Sequence, residues 1–381
     1  MATTRVLVTG GAGFIGRALI ARLLARGDEV VVLDNLSPQI HGVDAAIPSD
    51  LLGRVEFVRG DVRNAAPLRR SLRGVRTVFH LAAETGTGQS MYEVHRYCDV
   101  TIGGTARLLE ALVNHPTDVR RVVLASSRAV YGEGAYHCDA HGLVFPVGRS
   151  EADLLAGWFE PRCPRCARFV APVPTAEDAP PLPLSVYATT KLTQEHLCRQ
   201  ALLATGIGLV TLRFQNVYGA GQSPKNPYTG ILGIFANLVR DGRAPEAYED
   251  GRESRDFVHV DDVADALLLA ADQAAAAGAV LNVGSGHATS VLDAAEAIVS
   301  AAGQSLVPVV TGRFRLGDIR HNSADTARLR ALGWAPRVAF ADGVARFVAW
   351  LADQPRDSAR LLGQAEAELA ARSLLKVGSR R

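Results

Sequence analysis

A short apolar segment that runs directly into a cluster of glycines is the feature that most restricts the fold of this 381-residue chain. Residues 5–9 are mostly β-branched, residues 10–16 are rich in glycine, and residues 15–25 have the apolar spacing of a helix. Glycine is required where a strand turns sharply into a helix and where the backbone must approach an anion closely. The segment therefore predicts the first strand–turn–helix unit of a dinucleotide-binding domain.

The spacing of these glycines fits two related fingerprints. Gly11, Gly13 and Gly16 match G-x-G-x-x-G, and Gly10 with the last two matches G-x-x-G-x-x-G. The N-terminus of the following helix offers free N–H groups and a positive dipole end to a pyrophosphate. Asp34 ends the next predicted strand, and a carboxylate there accepts hydrogen bonds from the adenosine ribose and repels a 2′-phosphate. The pattern favours NAD over NADP.

Short strands alternate with longer amphipathic helices through the first half of the chain. This alternation predicts βαβ units and an α/β fold of the Rossmann type, in which a doubly wound parallel sheet is covered by helices on both faces. The predicted strands are residues 5–9, 29–34, 55–59, 77–81, 121–125, 208–214 and 280–283, and two of the predicted helices are residues 15–25 and 105–113.

Two segments interrupt this alternation. The first is rich in Pro, Gly and Cys, and we interpret it as an insertion. The second is rich in Ala, Leu and Arg, with helical spacing over residues 358–375, and we interpret it as a packed or solvated terminal helix without a functional role. The predicted division assigns 1–132, 181–222 and 256–283 to the NAD-binding Rossmann domain, 133–180 to the insertion, 223–255 and 284–352 to a smaller substrate-binding domain, and 353–381 to the C-terminal helical tail.

Composition narrows the class of protein further. Hydrophobic residues make up 48% of the chain and charged residues 21%, which is ordinary for a globular protein. The net charge of +2 provides no basic field that would attract nucleic acid or a membrane surface. No segment approaches the roughly 20 apolar residues of a membrane span, and the first apolar run is too short for a signal peptide. We therefore expect a cytoplasmic protein that binds neither nucleic acid nor membrane.

Candidate reacting groups lie in the middle of the chain. Tyr187 and Lys191 are four residues apart, on one face of a predicted helix. A tyrosine with a pKa near 10 is a poor base, but a neighbouring cation lowers that pKa. The phenol can then remove a hydroxyl proton while hydride leaves the same carbon. Ser127 follows the fifth predicted strand, at the edge of the sheet where ligands bind, although a serine there also fits a capping role.

Together these features resemble the extended short-chain dehydrogenase/reductase family, specifically its nucleotide-sugar epimerases and dehydratases. The resemblance covers about residue 4 to about residue 350 and omits the insertion and the tail. The matching motifs are Val8-Thr-Gly-Gly-Ala-Gly-Phe-Ile-Gly16, Leu33-Asp-Asn35, Gly60-Asp-Val62, His80-Leu-Ala-Ala83, Ser127 with Val130-Tyr-Gly132, Tyr187 with Lys191, Asn216-Val-Tyr-Gly219, Arg255-Asp-Phe-Val-His-Val260 and Arg315-Leu-Gly-Asp318.

The resemblance implies roles for individual residues. The implied catalytic residues are Ser127, Tyr187 and Lys191. Asp34 and Asn35 are implied to hold the adenosine ribose of NAD, and Asp61 and Val62 to flank its adenine. The other implied NAD-binding residues are Gly10, Gly13, Phe14, Ile15, Gly16, Leu81, Ala82, Ala83, Tyr187 and Lys191. The nucleotide sugar is implied to contact Ser127, Asn216, Tyr228, Arg255, Arg315 and Asp318, while Glu84 and Ser90 fit either sugar contacts or a solvated loop. A homodimer through the helices that follow Tyr92 and Tyr187 is also implied.

This chain departs from the family pattern at two places. Thr101 stands where the family usually has Asn, which predicts altered helix geometry or water placement beside the cofactor. The common Arg-Tyr-Phe-Asn sequence becomes Arg213-Phe-Gln-Asn216, so sugar contacts from this loop are expected to differ.

The residues after Ser127 bear on the type of reaction. The 4,6-dehydratases carry Asp-Glu there, to eliminate water, whereas this chain has Arg128 and Ala129, which cannot exchange protons in that way. Epimerisation at C4 needs only Tyr187 and NAD.

The chain is most similar to the epimerases of deoxythymidine-diphosphate 6-deoxyhexoses, the L-rhamnose 4-epimerase type. A nucleotide-sugar C4 dehydrogenase or ketoreductase and a non-catalytic NAD-sensing protein are the alternatives. The similarity to that type comes from Glu84-Thr-Gly-Thr-Gly-Gln-Ser-Met-Tyr92, Asn226-Pro-Tyr-Thr-Gly230, Glu249-Asp-Gly251 and the cysteine-containing insertion.

The insertion carries a candidate metal site. Cys138 with His141 forms C-x-x-H, and Cys163 with Cys166 forms C-x-x-C, a set that fits a closed structural zinc site. A redox pair and unligated thiols are the alternatives, and His137 is an alternative imidazole ligand. Residues 133–180 contain seven acidic residues and four arginines, a charge that argues against nucleic-acid binding by a zinc ribbon. The two remaining cysteines, Cys98 and Cys198, fit small buried hydrophobes.

Overall fold

The computed structural model describes residues 3–223, 230–355 and 358–379, and of residues 358–362 only the backbone. In chain order, the strands are β1 (Arg5–Thr9), β2 (Glu29–Asp34), β3 (Glu56–Arg59), β4 (Thr77–His80), β5 (Arg121–Ser127), β6 (Tyr136–Cys138), β7 (Gly142–Val144), β8 (Ala171–Pro172), β9 (Gly208–Phe214), β10 (Asn216–Tyr218), β11 (Glu246–Ala247), β12 (Ser254–His259), β13 (Val280–Val283), β14 (Ala288–Ser290), β15 (Val309–Val310), β16 (Arg313–Arg315) and β17 (Leu375–Val377). The α-helices are α1 (Phe14–Ala25), α2 (Pro38–His41), α3 (Ala65–Ser71), α4 (Thr87–Ser90), α5 (Val94–Tyr97), α6 (Gly104–Asn114), α7 (Glu151–Leu155), α8 (Val186–Leu202), α9 (Ile231–Arg240), α10 (Val260–Asp272), α11 (Val291–Ala301), α12 (Ala327–Ala331), α13 (Phe340–Ala352) and α14 (Ser358–Ala371).

The main sheet has the strand order β3-β2-β1-β4-β5-β9-β13, and every pairing in it is parallel. The predicted Rossmann-type sheet is therefore confirmed. Its strands are nearly continuous apolar runs because both faces are covered. The order of the strands reverses between β1 and β4, and ligands of open parallel sheets bind at the carboxyl edge beside such a reversal. Tyr187, Ser127 and the glycine-rich turn all lie at that edge.

Helices cover the two faces of the sheet around separate cores. On one face α1 packs against α10, with Leu19 and Leu267 fully buried. On the other face α3, α6 and α8 pack together, and Cys198 lies in this core at 1% exposure. Burial of Cys198 agrees with its interpretation as a small hydrophobe, whereas Cys98 is only half-buried.

A π-helical turn connects α5 to α6. It spans Cys98–Gly103 and contains Thr101, the residue that departs from the family pattern. The Thr101 hydroxyl accepts a hydrogen bond from the amide of Glu84 at 3.3 Å. The Thr101 carbonyl oxygen accepts from the hydroxyl of Thr105 at 2.6 Å. Such single π turns occur mostly at functional sites, and this one lies beside the residues that follow β4.

The remaining elements form a smaller region beside the carboxyl edge. Helices α9, α11 and α13 pack around a core that includes Phe235 and Phe347, with the three-stranded sheet β10-β12-β14 beside them. The insertion, in which the sequence shows no clear periodicity, contains the antiparallel sheet β7-β6-β8 and the short helix α7. No helix in the part of the chain that the structure describes has the length and apolarity needed to cross a membrane.

The tail differs from its prediction. A helix was predicted over residues 358–375, but α14 ends at Ala371, and the chain then turns into β17, which pairs antiparallel with β16. Ser373 adopts a positive φ of 57° where the helix ends, a conformation that no helical spacing reveals. The prediction of a purely helical tail is therefore wrong, and the segment is integrated into the substrate side of the molecule.

The central strand β5 provides a test of the core. Leu124 is completely buried there, and Leu124→Ala should lower the free energy of unfolding by about 2–5 kcal/mol through lost burial and an unfilled cavity. Leu203→Ala is the control, because Leu203 is 80% exposed and should change stability by less than about 0.5 kcal/mol. Urea unfolding of both variants measures the difference. Equal effects would contradict the assignment of β5 to the core.

Candidate active site

A cavity of about 610 Å³ lies along the carboxyl edge of the main sheet. It is lined by every residue for which the sequence implied NAD contact, and by Ser127 and Glu84 from the implied substrate set. The cofactor group consists of Gly10, Gly13, Phe14, Ile15, Gly16, Asp34, Asn35, Asp61, Val62, Leu81, Ala82, Ala83, Tyr187 and Lys191. Residues from five separate parts of the chain therefore meet around one cavity.

The glycine-rich turn has room for glycine alone at two positions. Gly10 has φ of +68°, and a Cβ atom there would lie 2.9 Å from the amide nitrogen of Ala82. A Cβ atom on Gly16 would lie 2.6 Å from the carbonyl oxygen of Gly11. Both contacts are with backbone, which cannot move aside, so any side chain would push α1 away from the sheet. The turn thus keeps the N-terminus of α1 close to the cavity.

Two carboxylates line the part of the cavity where the sequence predicts the adenosine. Asp34 accepts hydrogen bonds from the amides of Ala12 at 3.0 Å and Leu36 at 2.8 Å, which fixes it against the glycine-rich turn. Asp61 accepts from the side chain of Asn35 at 3.0 Å. The guanidinium of Arg63 lowers the pKa of Asp61 to about 2. Both acids are held in fixed orientations before any ligand binds.

Tyr187 lies in the first turn of α8, where several hydrogen bonds fix the backbone. Ser185 caps the helix by accepting from the amide of Ala188 at 3.1 Å. Burial raises the pKa of Tyr187, while a hydrogen bond with Ser127 and the charge of Arg128 act to lower it. The structure thus places Ser127 and Tyr187 close together on the wall of the cavity.

Ser90 supports Tyr187 from outside the cavity. Its side chain is fully buried, donates to the carbonyl oxygen of Thr87 at 2.6 Å and accepts from the amide of Tyr187 at 3.0 Å. Both hydrogen-bonding functions of the hydroxyl are therefore used within the protein. This geometry gives Ser90 a role in positioning Tyr187, in place of the direct sugar contact expected from the sequence.

Lys191 begins a buried chain of hydrogen bonds that reaches β1. Its ammonium donates to the side-chain oxygen of Gln194 at 2.6 Å, and the amide of Gln194 donates to the hydroxyl of Thr105 at 2.6 Å. His80 lies between Thr105 and Thr9, at 3.0 and 2.8 Å. Burial, together with the charge of Lys191, lowers the pKa of His80 to about 3, so this imidazole is neutral. The chain fixes Lys191 relative to the strand that carries the glycine-rich turn.

From the sequence, Arg128 is predicted only to disfavour dehydration. In the structure it lies close to Tyr187. Burial and the charge of Arg255 lower the pKa of Arg128 to about 10, and Arg128 has no ion-pair partner among the described residues. The charge of Arg128 acts to lower the pKa of Tyr187. Arg128 directly follows Ser127 in the sequence, but only the fold shows that its charge acts on the phenol.

Two of the implied substrate residues, Glu84 and Asn216, differ in their hydrogen-bonding partners. Glu84 is paired with Arg96 at 2.8 Å. Asn216 is the first residue of β10, and its side-chain oxygen is buried without a hydrogen-bond partner among the described residues. The same holds for both polar side-chain atoms of Gln215, which lines the cavity beside it. Gln215 replaces the usual Phe and was not chosen from the sequence. Tyr228 lies outside the described residues.

The implied substrate residues Arg255, Arg315 and Asp318 do not line this cavity but lie near one another on the substrate side of the molecule. Arg255 is buried and donates to the carbonyl oxygens of Ile319 and Arg320, both at 3.0 Å, so it holds the loop after β16. Arg315 donates to Asp318 at 2.8 Å, and its guanidinium lies over the ring of Tyr248 at 5.5 Å. Tyr248 is a further residue of this side that the sequence did not single out.

The four predicted metal ligands meet in the insertion. The sulfur of Cys138 lies 3.6 Å from Nδ1 of His141 and 3.7 Å from the sulfur of Cys166. The sulfur of Cys163 lies 3.5 Å from the same imidazole nitrogen. All four ligand atoms lie within 4.8 Å of one another. His137 is excluded from the cluster, since its side chain is 56% exposed and faces Asp139.

A buried group of charges joins the insertion to the loops around Arg255 and Asp318. Arg320 is fully buried and contacts Glu160 at 2.7 Å and Glu249 at 2.8 Å. Arg149 contacts Glu249 at 2.7 Å and Glu133 at 3.2 Å. Glu133, Arg149 and Glu160 belong to the insertion, whereas Glu249 and Arg320 belong to the substrate side. We call these five residues the charge cluster.

Known proteins share this arrangement. The model of the NAD dependent epimerase/dehydratase family matches residues 6–145 and 167–284. The dTDP-L-rhamnose 4-epimerase of Burkholderia thailandensis is 43% identical over 355 residues, covering 92% of this chain and 95% of that protein. The chain belongs to the NAD-dependent epimerase/dehydratase family.

Solved structures of two UDP-glucose 4-epimerases have the same fold. The Thermotoga maritima protein, with UDP-glucose, has a TM-score of 0.75 at 28% identity and covers 91% of this chain and 98% of its own. The Thermus thermophilus protein, in complex with NAD, has a TM-score of 0.73 at 30% identity and covers 92% and 100%. The predicted family, and the prediction of an NAD-dependent enzyme of the nucleotide-sugar 4-epimerase type, are thereby confirmed.

The family match also sets limits. Its two ranges leave out residues 146–166 and all residues after 284. Half of the cysteine cluster, Cys163 and Cys166, therefore falls outside the sequence pattern of the family, as do Arg149 and Glu160 of the charge cluster. The insertion and the tail have to be explained from this chain itself.

Lys191 provides a test of the electrostatics of this family's active site. Burial lowers its pKa from 10.5 to about 8, a cost of about 3 kcal/mol at neutral pH. In the nucleotide-free protein, Lys191→Met should therefore raise the free energy of unfolding at pH 7 by about 1–3 kcal/mol, after loss of the Gln194 hydrogen bond. Catalysis should be lost in the same variant. Chemical unfolding and turnover measure the two effects.

The pH dependence of this stability difference tests whether desolvation of the Lys191 ammonium is its cause. Below pH 8 both the folded and the unfolded wild-type chain hold the Lys191 proton, and the whole cost is present. Between about pH 8 and 10.5 the folded state releases the proton first, so the advantage of Lys191→Met should shrink. Lys376→Met is the control, because Lys376 is partly exposed and pairs with Glu151. Equal stability of Lys191→Met and wild type at pH 7 would rule out a desolvated ammonium.

Proposed function

We propose that the protein epimerises C4 of a deoxythymidine-diphosphate 6-deoxyhexose by transient oxidation with NAD. The observation that carries this proposal is that Ser127 and Tyr187 lie close together in the NAD-type cavity, with Arg128 and Ala129 where a dehydratase carries Asp and Glu. The similarity to the Burkholderia dTDP-L-rhamnose 4-epimerase supports the choice of sugar nucleotide.

The residues of the site suffice for each proton transfer in this reaction. When bound, NAD supplies a hydride acceptor at C4, which later becomes the donor. Tyr187 takes the proton of the C4 hydroxyl, and Ser127 holds the same oxygen through its hydroxyl. Arg128 favours the phenolate form of Tyr187, since an adjacent positive charge stabilises it. After the 4-keto sugar turns its other face, Tyr187 returns the proton, so no further acid or base is needed.

The substrate side suits a charged ligand. Arg315 and Arg255 supply two guanidinium groups, and planar guanidinium groups match diphosphate oxygens. Arg315 is the better placed of the two, because Arg255 already donates to several backbone carbonyls. Asn216, Asp318, Glu84 and, outside the described residues, Tyr228 remain proposed sugar-nucleotide contacts.

Turnover without added cofactor tests this proposal. Purified protein should carry NAD and should convert dTDP-L-rhamnose to its 4-epimer with no net change in NADH absorbance. Tyr187→Phe should lower the rate by at least about a hundredfold while NAD content stays unchanged, because only the proton acceptor is lost. His196→Ala, an exposed position on the same helix, is the control and should behave as wild type.

Each other outcome favours a specific alternative. Strict dependence on added NAD, with net NADH formation, would favour a C4 dehydrogenase or ketoreductase. NAD binding without turnover of any dTDP- or UDP-sugar would favour an NAD-sensing protein. An active Tyr187→Phe variant would overturn the catalytic assignment.

We propose in addition that the insertion holds a structural zinc ion. Zinc–ligand bonds of about 2.3 Å to sulfur and about 2.0 Å to nitrogen, in a tetrahedron, separate two sulfurs by about 3.8 Å and a sulfur from a nitrogen by about 3.5 Å. The distances of 3.5–3.7 Å among Cys138, His141, Cys163 and Cys166 fit this geometry. Four protein ligands would leave no open position, so the role is structural. A disulfide is disfavoured, because a sulfur separation of 3.7 Å is far from a bond of about 2 Å.

Metal analysis tests the zinc site. The purified protein should contain about one zinc per chain, and His141→Ala should lose it because a tetrahedral site needs its fourth ligand. His137→Ala is the matched control and should keep the metal. Zinc content is measured by atomic emission after dialysis, and the comparison of His141→Ala with His137→Ala shows which imidazole is the ligand. Zinc-free wild-type protein, or equal zinc in both variants, would overturn the proposal.

We also propose a homodimer formed through α6 and α8, a cytoplasmic location, and the domain bounds predicted from the sequence, with a tail that consists of α14 followed by β17. The dimer is supported by the family resemblance and by the packing of α6 beside α8. All five cysteines are free of disulfide bonds, which is typical of a reducing compartment. Light scattering at several protein concentrations measures the oligomeric state.

A further inference from the structure

The C-terminal tail contacts two separate parts of the molecule. The first part consists of α4 and the residues that follow it. Leu369 is buried against Gly88 of α4, and the phenol of Tyr92 donates to Glu368 at 2.7 Å. The guanidinium of Arg372 lies over the ring of Tyr92 at 4.2 Å. These contacts attach α14 to the segment that begins with Glu84.

Helix α14 also contacts a second part of the molecule, at Tyr248 and Arg313. Glu366 accepts a hydrogen bond from the phenol of Tyr248 at 2.8 Å and pairs with Arg313 at 3.0 Å. The ring of Tyr248 in turn lies under the guanidinium groups of Arg313 and Arg315, at 5.0 and 5.5 Å. A single carboxylate of the tail therefore fixes an aromatic ring and, through it, the position of Arg315.

After α14, the tail forms β17, which pairs with β16, the strand that carries Arg315. Leu375 of β17 lies opposite Arg315 in the β16–β17 ladder, and the amide of Leu316 donates to the carbonyl oxygen of Leu374 at 3.0 Å. Beyond β17 the amide of Ser379 donates to the carbonyl oxygen of Leu155 in the insertion at 2.9 Å. The edge of β16 is thus covered by the tail, which fixes the backbone on both sides of Arg315.

We propose that residues 363–379 hold the segment that carries Arg315 in place for the sugar nucleotide and that Glu366 is a positioning residue for Tyr248 and Arg315. This inference rests on the proposed nucleotide-sugar function. The tail contacts neither the glycine-rich turn nor Asp34 in any interaction of the described residues. Its loss is therefore expected to weaken binding of the sugar nucleotide and to spare the binding of NAD.

Glu366→Ala is the sharpest test, because it removes both contacts of one carboxylate. With Tyr248 and Arg315 no longer fixed by this carboxylate, we expect KM for the sugar nucleotide and the Kd of dTDP to rise about tenfold or more. We expect kcat at saturation and NAD content to stay within about twofold of wild type. Glu366→Gln keeps an acceptor for Tyr248 and should recover part of the affinity. Gln364→Ala, an exposed position on the same helix, is the control and should change nothing.

Truncation after Pro355 extends the test. The shortened chain should keep NAD and lose dTDP affinity by about a hundredfold, since both Glu366 and β17 are absent. If it fails to fold, Glu366→Ala decides alone. Unchanged KM and dTDP affinity in Glu366→Ala would overturn the inference, as would equal losses of kcat, NAD content and substrate affinity. Wild-type protein that binds neither dTDP nor UDP would instead count against the proposed function.

Discussion

The burial of Arg320 is the interaction on which the substrate side of the molecule depends. A guanidinium with no solvent exposure is tolerable only where carboxylates pair with it, and Glu160 and Glu249 do so from two different parts of the fold. Glu160 comes from the insertion and Glu249 from the segment before β12. Asp250 also pairs with Arg320 at 2.7 Å, and movement of either part would remove at least one carboxylate from this buried guanidinium.

This constraint explains how an insertion remote from the NAD cavity bears on the active site. Glu133 accepts from the backbone amide of Arg320 at 2.8 Å, and Arg149 donates to the carbonyl oxygen of Asp318 at 2.9 Å. The insertion therefore contacts the backbone of the loop that presents Asp318. With the tail attached to β16, this loop is held from both directions, whereas the glycine-rich turn receives no such support and relies on its own close packing.

The parts of the structure that the sequence predicted are those set by local signals. The strands of the main sheet are short β-branched runs, so their bounds agree within one or two residues, and the glycines and Asp34 lie in the predicted positions. The four residues of the cluster Cys138, His141, Cys163 and Cys166 could be chosen because thiols and imidazoles in paired spacing have few other uses. Each of these features lies within about thirty residues of chain.

What the sequence could not provide depends on contacts between distant residues. Glu133 and Arg320 are 187 positions apart, and Glu368 and Tyr92 are 276 apart, so no spacing could pair them. Ser90 was assigned to the sugar because it follows β4, but its hydroxyl is used by Thr87 and Tyr187. The turn from α14 into β17 depends on a left-handed residue, Ser373, which the Ala- and Leu-rich composition conceals.

The buried cations of this protein divide into two kinds, and the division separates structure from chemistry. The pKa of Arg320 is raised above its ordinary value because carboxylates surround it, so its charge contributes to folding. The pKa values of Arg128 and Lys191 are lowered, to about 10 and about 8, because the loss of water outweighs the attraction of nearby carboxylates such as Asp318 and Glu195. A stable fold alone gives no reason to keep such charges. Both lie at the carboxyl edge around Tyr187, where a phenolate and a diphosphate would supply the missing negative charge. The cost of their burial is therefore best understood as preorganisation of the site for an anionic ligand.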